Sequence, residues 1–230
     1  MNLPNKLTVL RMLLIPVFLF FYLAPLRWLE YGYLWALIVF IVAALTDALD
    51  GYLARKHNLI TDFGKLMDPL ADKLLTMSAF IVILSNFELH AHYISRTFSG
   101  TPIVYAVMFV GMGVFLLFLI LIISREFLVT SMRLIAAGKG AILAADKWGK
   151  IKTVLQMAWI IYALILHVWF YHHIPTLGME PYASINPTVS SVVLGSLLWI
   201  YDILLFAVVF ITVASGVHYC LKNRALFVDK

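Results

Sequence analysis

Residues 46–72 read TDALDGYLARKHNLITDFGKLMDPLAD and hold five aspartates, of which Asp47, Asp50, Asp68 and Asp72 stand at helical spacing with Gly51, Ala54, Arg55 and Gly64 among them, in a chain that is otherwise overwhelmingly apolar. At roughly 100° per residue on a helix, Asp47, Asp50, Gly51 and Ala54 share one face, and Asp68 and Asp72, one turn apart, share a face of the next helix. Two helices meeting there would aim all four carboxylates at one point. Left without counter-charge near a bilayer, each carboxylate costs about 2.5–3.5 kcal/mol on an insertion scale, less at the interface. Cations are therefore expected. Aspartate oxygens suit Mg²⁺ or Mn²⁺ better than zinc, and four carboxylates offset the charge of two divalent ions. Two such ions, roughly 3.5–4 Å apart, form the usual clamp for displacement at a phosphate. Gly51 and Ala54 leave a helix surface bare, so that a flat group such as a nucleotide can lie against the backbone, and Arg55 is suited to neutralise a phosphate oxygen. A blander account makes these ordinary interfacial acids paired with Arg55, Lys65 and Lys73, with the small residues serving helix packing. The combination of spacing, residue type and small residues weighs against it.

The whole chain points to a membrane. Its 230 residues are 63% hydrophobic and 13% charged, with a mean hydropathy of +0.96, far outside the range of soluble globular domains. The net charge of +5 comes from basic residues scattered among apolar stretches rather than gathered in a stripe, so lipid headgroups account for it better than nucleic acid. Cys220, the single cysteine, excludes an internal disulfide. No repeat, low-complexity tract or appended soluble domain is apparent, and residues 1–230 read as a single membrane domain.

Taken in order, the apolar stretches predict six transmembrane helices. Residues 1–6 are polar, and Leu7–Ala24 forms the first span, too long for the apolar core of a signal peptide and followed by no small-residue cleavage site. Pro16 predicts a kink in it. Tyr31–Leu53 is the second span and carries Asp47 to Arg55 at its exit. The third begins between Asp62 and Asp68 and continues through Leu84. Either Asp68 caps it with Pro69 at the first helical position, or an earlier cap leaves Pro69 as a kink. Asn86–Thr101 is a loop, and Pro102–Ile123 the fourth span, in a helix that can extend through Arg125 and Arg133 to Ala137. A basic loop, Gly138–Lys152, leads to the fifth span, Thr153–Tyr171; a proline-rich outer loop, His172–Pro187, precedes the sixth, within Ser190–Tyr219.

Six spans place both termini on one side. Only Arg27 and Arg96 then fall on the far side, leaving fifteen of the seventeen Lys and Arg with the aspartates, so that side is expected to be cytoplasmic. A second cluster gathers there: Arg125, Glu126 and Arg133 at the end of span four, with Lys147, Lys150, Lys152, Thr153 and Gln156 entering span five. Arg125 and Arg133, eight residues apart, lie about 80° apart around a helix and can flank one anion. Positive-inside topology alone is an equally good account of any one of these basic residues.

The run Asp47-x2-Asp50-Gly51-x2-Ala54-Arg55-x8-Gly64-x3-Asp68-x3-Asp72 resembles the complete signature of the CDP-alcohol phosphotransferases, with every position filled. Within that family the chain is most similar to bacterial members that use glycerol 3-phosphate. The similarity lies in Asn2-Leu3-Pro4-Asn5-x-Leu7-Thr8-x2-Arg11, Ser124-Arg125-Glu126-Phe127 with Met132-Arg133, Gly149-Lys150-Ile151-Lys152-Thr153-x2-Gln156 and Ser215-Gly216-x2-Tyr219. Met132 stands where the family often has glycine. The resemblance implies transfer of the phosphatidyl group of CDP-diacylglycerol to the 1-hydroxyl of glycerol 3-phosphate, giving phosphatidylglycerophosphate and CMP. It implies two divalent cations, Mg or Mn, on Asp47, Asp50, Asp68 and Asp72, with Asp72 also the base. It assigns Asp47, Gly51, Ala54, Arg55 and Gly64 to the CDP group, and Arg125, Arg133, Lys150, Lys152 and Thr153 to the acceptor phosphate. It further implies a homodimer in the bacterial inner membrane with its active site facing the cytoplasm.

Other polar residues are not promoted. His90, His92, His172 and His173 fall in outer loops and read as interfacial residues rather than metal ligands, and Asp202 inside span six is expected to form a hydrogen bond within the bundle or across a dimer. Trp28, Trp35, Trp169 and Trp199 read as interfacial anchors. A sibling enzyme with another acceptor remains the near alternative. A divalent-cation channel or transporter is the distant one, but it calls for acids along a path across the membrane, and here four of the twelve acids sit together.

Overall fold

The computed structural model describes residues 2–23, 31–57, 62–86, 90, 103–138, 147–173 and 187–224. Regular structure among them is entirely helical: α1 (Leu3–Leu23), α2 (Gly32–His57), α3 (Asp62–Ser85), α4 (Ile103–Gly138), α5 (Lys147–His173) and α6 (Pro187–Lys222). Four stretches among the described residues are long and apolar enough to cross a membrane: Asn5–Leu23, Phe109–Ala136, Lys147–Phe170 and Val192–Lys222. The apolar stretch of α2, Gly32–Asp47, is shorter, and the first half of α3 carries Asp62, Lys65, Asp68, Asp72 and Lys73.

One boundary left open is settled, and two expected ones move. The helix of the third span starts at Asp62 and runs through Pro69, so the earlier start is the one adopted, although Pro69 has no N–H for the carbonyl four residues back. The stretch Lys147–Lys152, expected as loop, is the first part of α5; Lys, Trp and Ile are all tolerated in a helix, and the buried Lys152 and Gln156 continue the inward face of Trp159 at helical spacing. The polar N-terminus is helical from Leu3, with Pro4 in the first turn, where a missing N–H costs nothing. The extension of the fourth span through Arg125 and Arg133 is present as α4, a single helix of 36 residues.

The chain divides into two compact units, Met1–Asn86 with Ile160–Ser184, and Phe87–Trp159 with Ile185–Lys230. In the first, α1 packs on both α2 and α3. Its buried residues, Asn5, Thr8, Arg11, Ile15, Phe18 and Tyr22, recur at three- and four-residue steps and form one stripe, polar in its first half and apolar in its second. Ala36 and Ala43 of α2 and Ala71 and Ala79 of α3 are fully buried, and these small side chains let helix backbones approach closely. Phe18 meets Phe40 with ring centroids 5.7 Å apart. Tyr22 and His167 share a hydrogen bond of 3.3 Å.

The second unit is built on α4 against α6. Buried residues of α6, Leu194, Leu198, Tyr201, Leu205, Val208, Thr212, Ser215 and Tyr219, alternate steps of four and three, the repeat of a left-handed helix pair. Phe115, Phe118, Ile122, Val129, Met132 and Ala136 of α4 keep the same repeat, and Arg125 occupies the position it leaves between Ile122 and Val129. Phe118 packs edge-on against Phe206 at 5.0 Å. Asp202 bonds within this unit, to His90 Nε2 at 3.1 Å, and His90 is packed edge-on against Phe115 and Tyr201. His90 therefore has a carboxylate partner that the sequence did not reveal, but one carboxylate is no metal set. His92 lies outside the described residues, as do the side chains of His172 and His173.

Candidate active site

The aspartates lie at the junction of α2 and α3, and α1 supplies what holds them. Arg11, fully buried, places Nη1 2.6 Å from Asp47 Oδ1, while the Asp47 side chain is 43% exposed. Thr8 donates its hydroxyl hydrogen to Asp68 Oδ1 at 2.6 Å. Thr8 and Arg11 are three apart, so both project from the same face of α1. Asp72 lies one turn beyond Asp68 on α3; its backbone carbonyl accepts from Thr76 Oγ1 at 3.0 Å. Gly64 is buried in the first turn of α3, and the side chains of Asp50, Gly51, Ala54 and Arg55 lie outside those described.

Sequence reasoning quoted Thr8 and Arg11 but gave them no role. Their signal was present: in an apolar helix, Asn5, Thr8 and Arg11 at steps of three mark a polar stripe that must face polar partners.

Among the described residues no three carboxylate, imidazole or thiol side chains converge tightly enough to hold an ion, and the fourth aspartate is outside the described side chains. The donor chemistry nevertheless suits a hard cation. Asp47 is presented to solvent rather than buried, and each of Asp47 and Asp68 has one oxygen fixed by α1, which orients a carboxylate as a ligand's outer partners do.

The basic cluster is a separate construction in the second unit. Glu126 Oε1 accepts from Lys152 Nζ and from Arg125 Nη1 at 3.2 Å. Arg125 Nη2 donates to Ser215 Oγ at 3.0 Å, and the Ser215 hydroxyl hydrogen goes to Thr212 O at 2.9 Å. These charges are deep, with Lys152, Arg125 and Glu126 side chains 5%, 12% and 14% exposed. Among the described residues two cations share this carboxylate, an excess of positive charge. Arg125 Nε is buried with no hydrogen-bond partner among the described residues.

Two turns along α4, Arg133 Nε donates to Tyr219 Oη at 3.4 Å and its guanidinium lies 5.7 Å from the centre of the Tyr219 ring. Arg125 and Lys152 are thus brought together by Glu126, while Arg133 is held by α6. Lys150 and Thr153 are exposed, and Thr153 Oγ1 bonds back to Gly149 O of its own helix at 3.1 Å. Glu126 was named at the sequence level only as a neighbour; its part as the common acceptor was not read.

A family model described as CDP-alcohol phosphatidyltransferase matches residues 1–214. The chain belongs to that family. A Bacillus subtilis (strain 168) protein named CDP-diacylglycerol--glycerol-3-phosphate 3-phosphatidyltransferase is 40% identical over 232 residues, covering 96% of this chain and 95% of that protein. Proteins of the same name are similar from Rickettsia typhi, 36% identical over 68% of this chain and 72% of the relative, and from Escherichia coli K12, 31% identical over 70% and 77%. The single family match runs through residues of both compact units.

Proposed function

We propose that this protein is an integral membrane transferase that joins glycerol 3-phosphate to the phosphatidyl group of CDP-diacylglycerol, releasing CMP and forming phosphatidylglycerophosphate. The observation that carries this reading is the 40% identity, over 96% of the chain, to a relative named for that reaction. A buried cluster with an excess of positive charge around Arg125 and Lys152 supports a phosphomonoester acceptor. A neutral alcohol would not call for it.

The residues divide the work as follows. Asp47, Asp50, Asp68 and Asp72 would hold two divalent cations, Mg or Mn, which when bound neutralise the diphosphate of the donor. Thr8 and Arg11 set the angles of Asp68 and Asp47. Gly51, Ala54, Arg55 and Gly64 receive the CDP group. Arg125, Arg133 and Lys152, with Lys150 and Thr153 nearer the surface, receive the acceptor phosphate. Asp72 takes the proton from the 1-hydroxyl as its oxygen bonds to the phosphorus on the lipid side and the bond to CMP breaks. Positioning and charge neutralisation supply most of the acceleration in such chemistry.

The same reading includes six spans in one domain, both termini and the active site on the cytoplasmic face of the bacterial inner membrane, and a homodimer. The fifteen-to-two distribution of Lys and Arg supports the orientation. Cysteines introduced at Asn58 and Lys230 are expected to be labelled from the cytoplasm only, and one at Met179 from outside only; external labelling at Asn58 would overturn it. The reaction itself is tested with purified protein, CDP-diacylglycerol, Mg²⁺ or Mn²⁺ and a panel of alcohols, following CMP release. Glycerol 3-phosphate should be the preferred acceptor. A preference for free glycerol or an inositol phosphate would keep the family and discard the named reaction.

A further inference from the structure

The acceptor-side arginine is held against α6 by uncharged residues of that helix. A methyl group placed on Gly216 of α6 would stand 2.9 Å from Arg125 Cγ and 3.9 Å from both its Cβ and its Nε. Real Cβ contacts are essentially never that close. Cγ is near the root of the side chain, so relieving the overlap requires a new χ1 or a backbone shift. The preceding residue, Ser215, meets the far end of the same side chain: its hydrogen goes to Thr212 O, and a lone pair receives Arg125 Nη2. Glu126 takes Nη1. Stem and both terminal nitrogens are therefore fixed, yet Nε is left buried without a partner among the described residues. Packing of the stem against the bare glycine thus sets the position of the guanidinium.

We infer that Gly216 and Ser215 are positioning residues for acceptor recognition, acting through Arg125: the missing side chain of Gly216 admits the arginine stem against α6, and Ser215 sets the plane of its guanidinium toward the phosphomonoester. This rests on the reading of the protein as a phosphatidyltransferase that accepts glycerol 3-phosphate. Ordinary helix packing is the competing account of a buried glycine, and the two differ in what a methyl group does.

The experiment measures KM and kcat for each substrate, and thermal midpoint, for the wild type, Gly216→Ala, Ser215→Ala, Gly113→Ala, Arg125→Ala and Gly216→Ala combined with Arg125→Ala. Gly216→Ala should lower kcat/KM for glycerol 3-phosphate about tenfold, mainly through KM, with the KM for CDP-diacylglycerol within about twofold. Any fall in its midpoint should be no larger than that of Arg125→Ala, because the overlap falls on that side chain alone and alanine is the better helix former. Ser215→Ala should act in the same direction by a few-fold. Gly113, where an added methyl meets nothing within 4 Å, controls for the substitution itself and should be silent. In the Arg125→Ala background, Gly216→Ala should add nothing.

Wild-type acceptor efficiency in Gly216→Ala would overturn the inference, as would a loss that persists undiminished without Arg125 or that raises both KM values together. If the wild type does not transfer to glycerol 3-phosphate at all, the functional reading falls and this inference falls with it; a silent Gly216→Ala in an enzyme that does so removes the inference alone.

Discussion

The aspartate end of the first unit and the basic end of the second solve opposite electrostatic problems. At the first, like charges are gathered: Asp68 and Asp72 lie one turn apart on α3, Asp47 meets the Arg11 guanidinium at 2.6 Å, and Asp68 is steadied by a neutral hydroxyl. At the second, opposite charges are gathered, with Glu126 shared by Lys152 and Arg125. Such an ion triad can sit deep because its members offset each other's desolvation. A set of like carboxylates cannot, and the partial exposure of Asp47 is consistent with a group that awaits cations from solvent. The first end is therefore expected to be set for a ligand at some expense to stability, and the second to be stable only while intact.

Substitutions that keep shape and remove charge sharpen this contrast. The largest effect is expected at the aspartates. Asp47→Asn or Asp68→Asn should abolish CMP release and weaken Mn²⁺ binding followed by electron paramagnetic resonance; Asp68→Asn, whose α1 partner is the neutral Thr8 hydroxyl, should not lower the thermal midpoint, because relief of like-charge repulsion offsets any lost bond. Asp72→Asn should lose turnover while retaining at least one Mn²⁺ site; near-normal turnover would remove it as the base.

At the basic end the pattern should invert. Lys152→Ala or Arg133→Ala should cost roughly 10- to 100-fold in kcat/KM for glycerol 3-phosphate, with donor KM little changed. Glu126→Gln, which leaves two buried cations without their carboxylate, should lower stability by about 3 kcal/mol, read as a fall in the unfolding midpoint. Unaltered stability in Glu126→Gln together with a destabilised Asp68→Asn would break the comparison.

The smallest effect is expected where α1 meets α3. Thr8→Val removes one hydrogen bond to a carboxylate but keeps the side-chain volume, and should reduce turnover and Mn²⁺ affinity about three- to tenfold. Equal activity in Thr8→Val would mean that Asp68 is oriented without help from α1.

The sequence by itself determined the membrane class, the helical composition and the aspartate motif. Each is a local property: hydropathy is summed along a stretch, and Asp47, Asp50, Asp68 and Asp72 stand at helical spacing within 26 residues, so their shared faces follow from the turn of the helix. The extension of α4 past Arg125 was legible for the same reason, and the coil assigned to Lys147–Lys152 was not, because a run of basic residues looks the same in a loop and in the first turns of a helix. Only the tertiary structure decided what the charges meet. Thr8 is 60 residues from Asp68, Lys152 is 26 from Glu126 and Ser215 is 90 from Arg125. Nothing in the local spacing of either partner specifies such a meeting; it depends on which seam of each helix is buried and at what register it packs. Arg125 shows the boundary most clearly. Its place in the repeat of buried residues on α4 could be read from the sequence, but that it lies against a bare glycine of α6, with Ser215 at one terminal nitrogen and Glu126 at the other, follows from the packing of α4 on α6 alone.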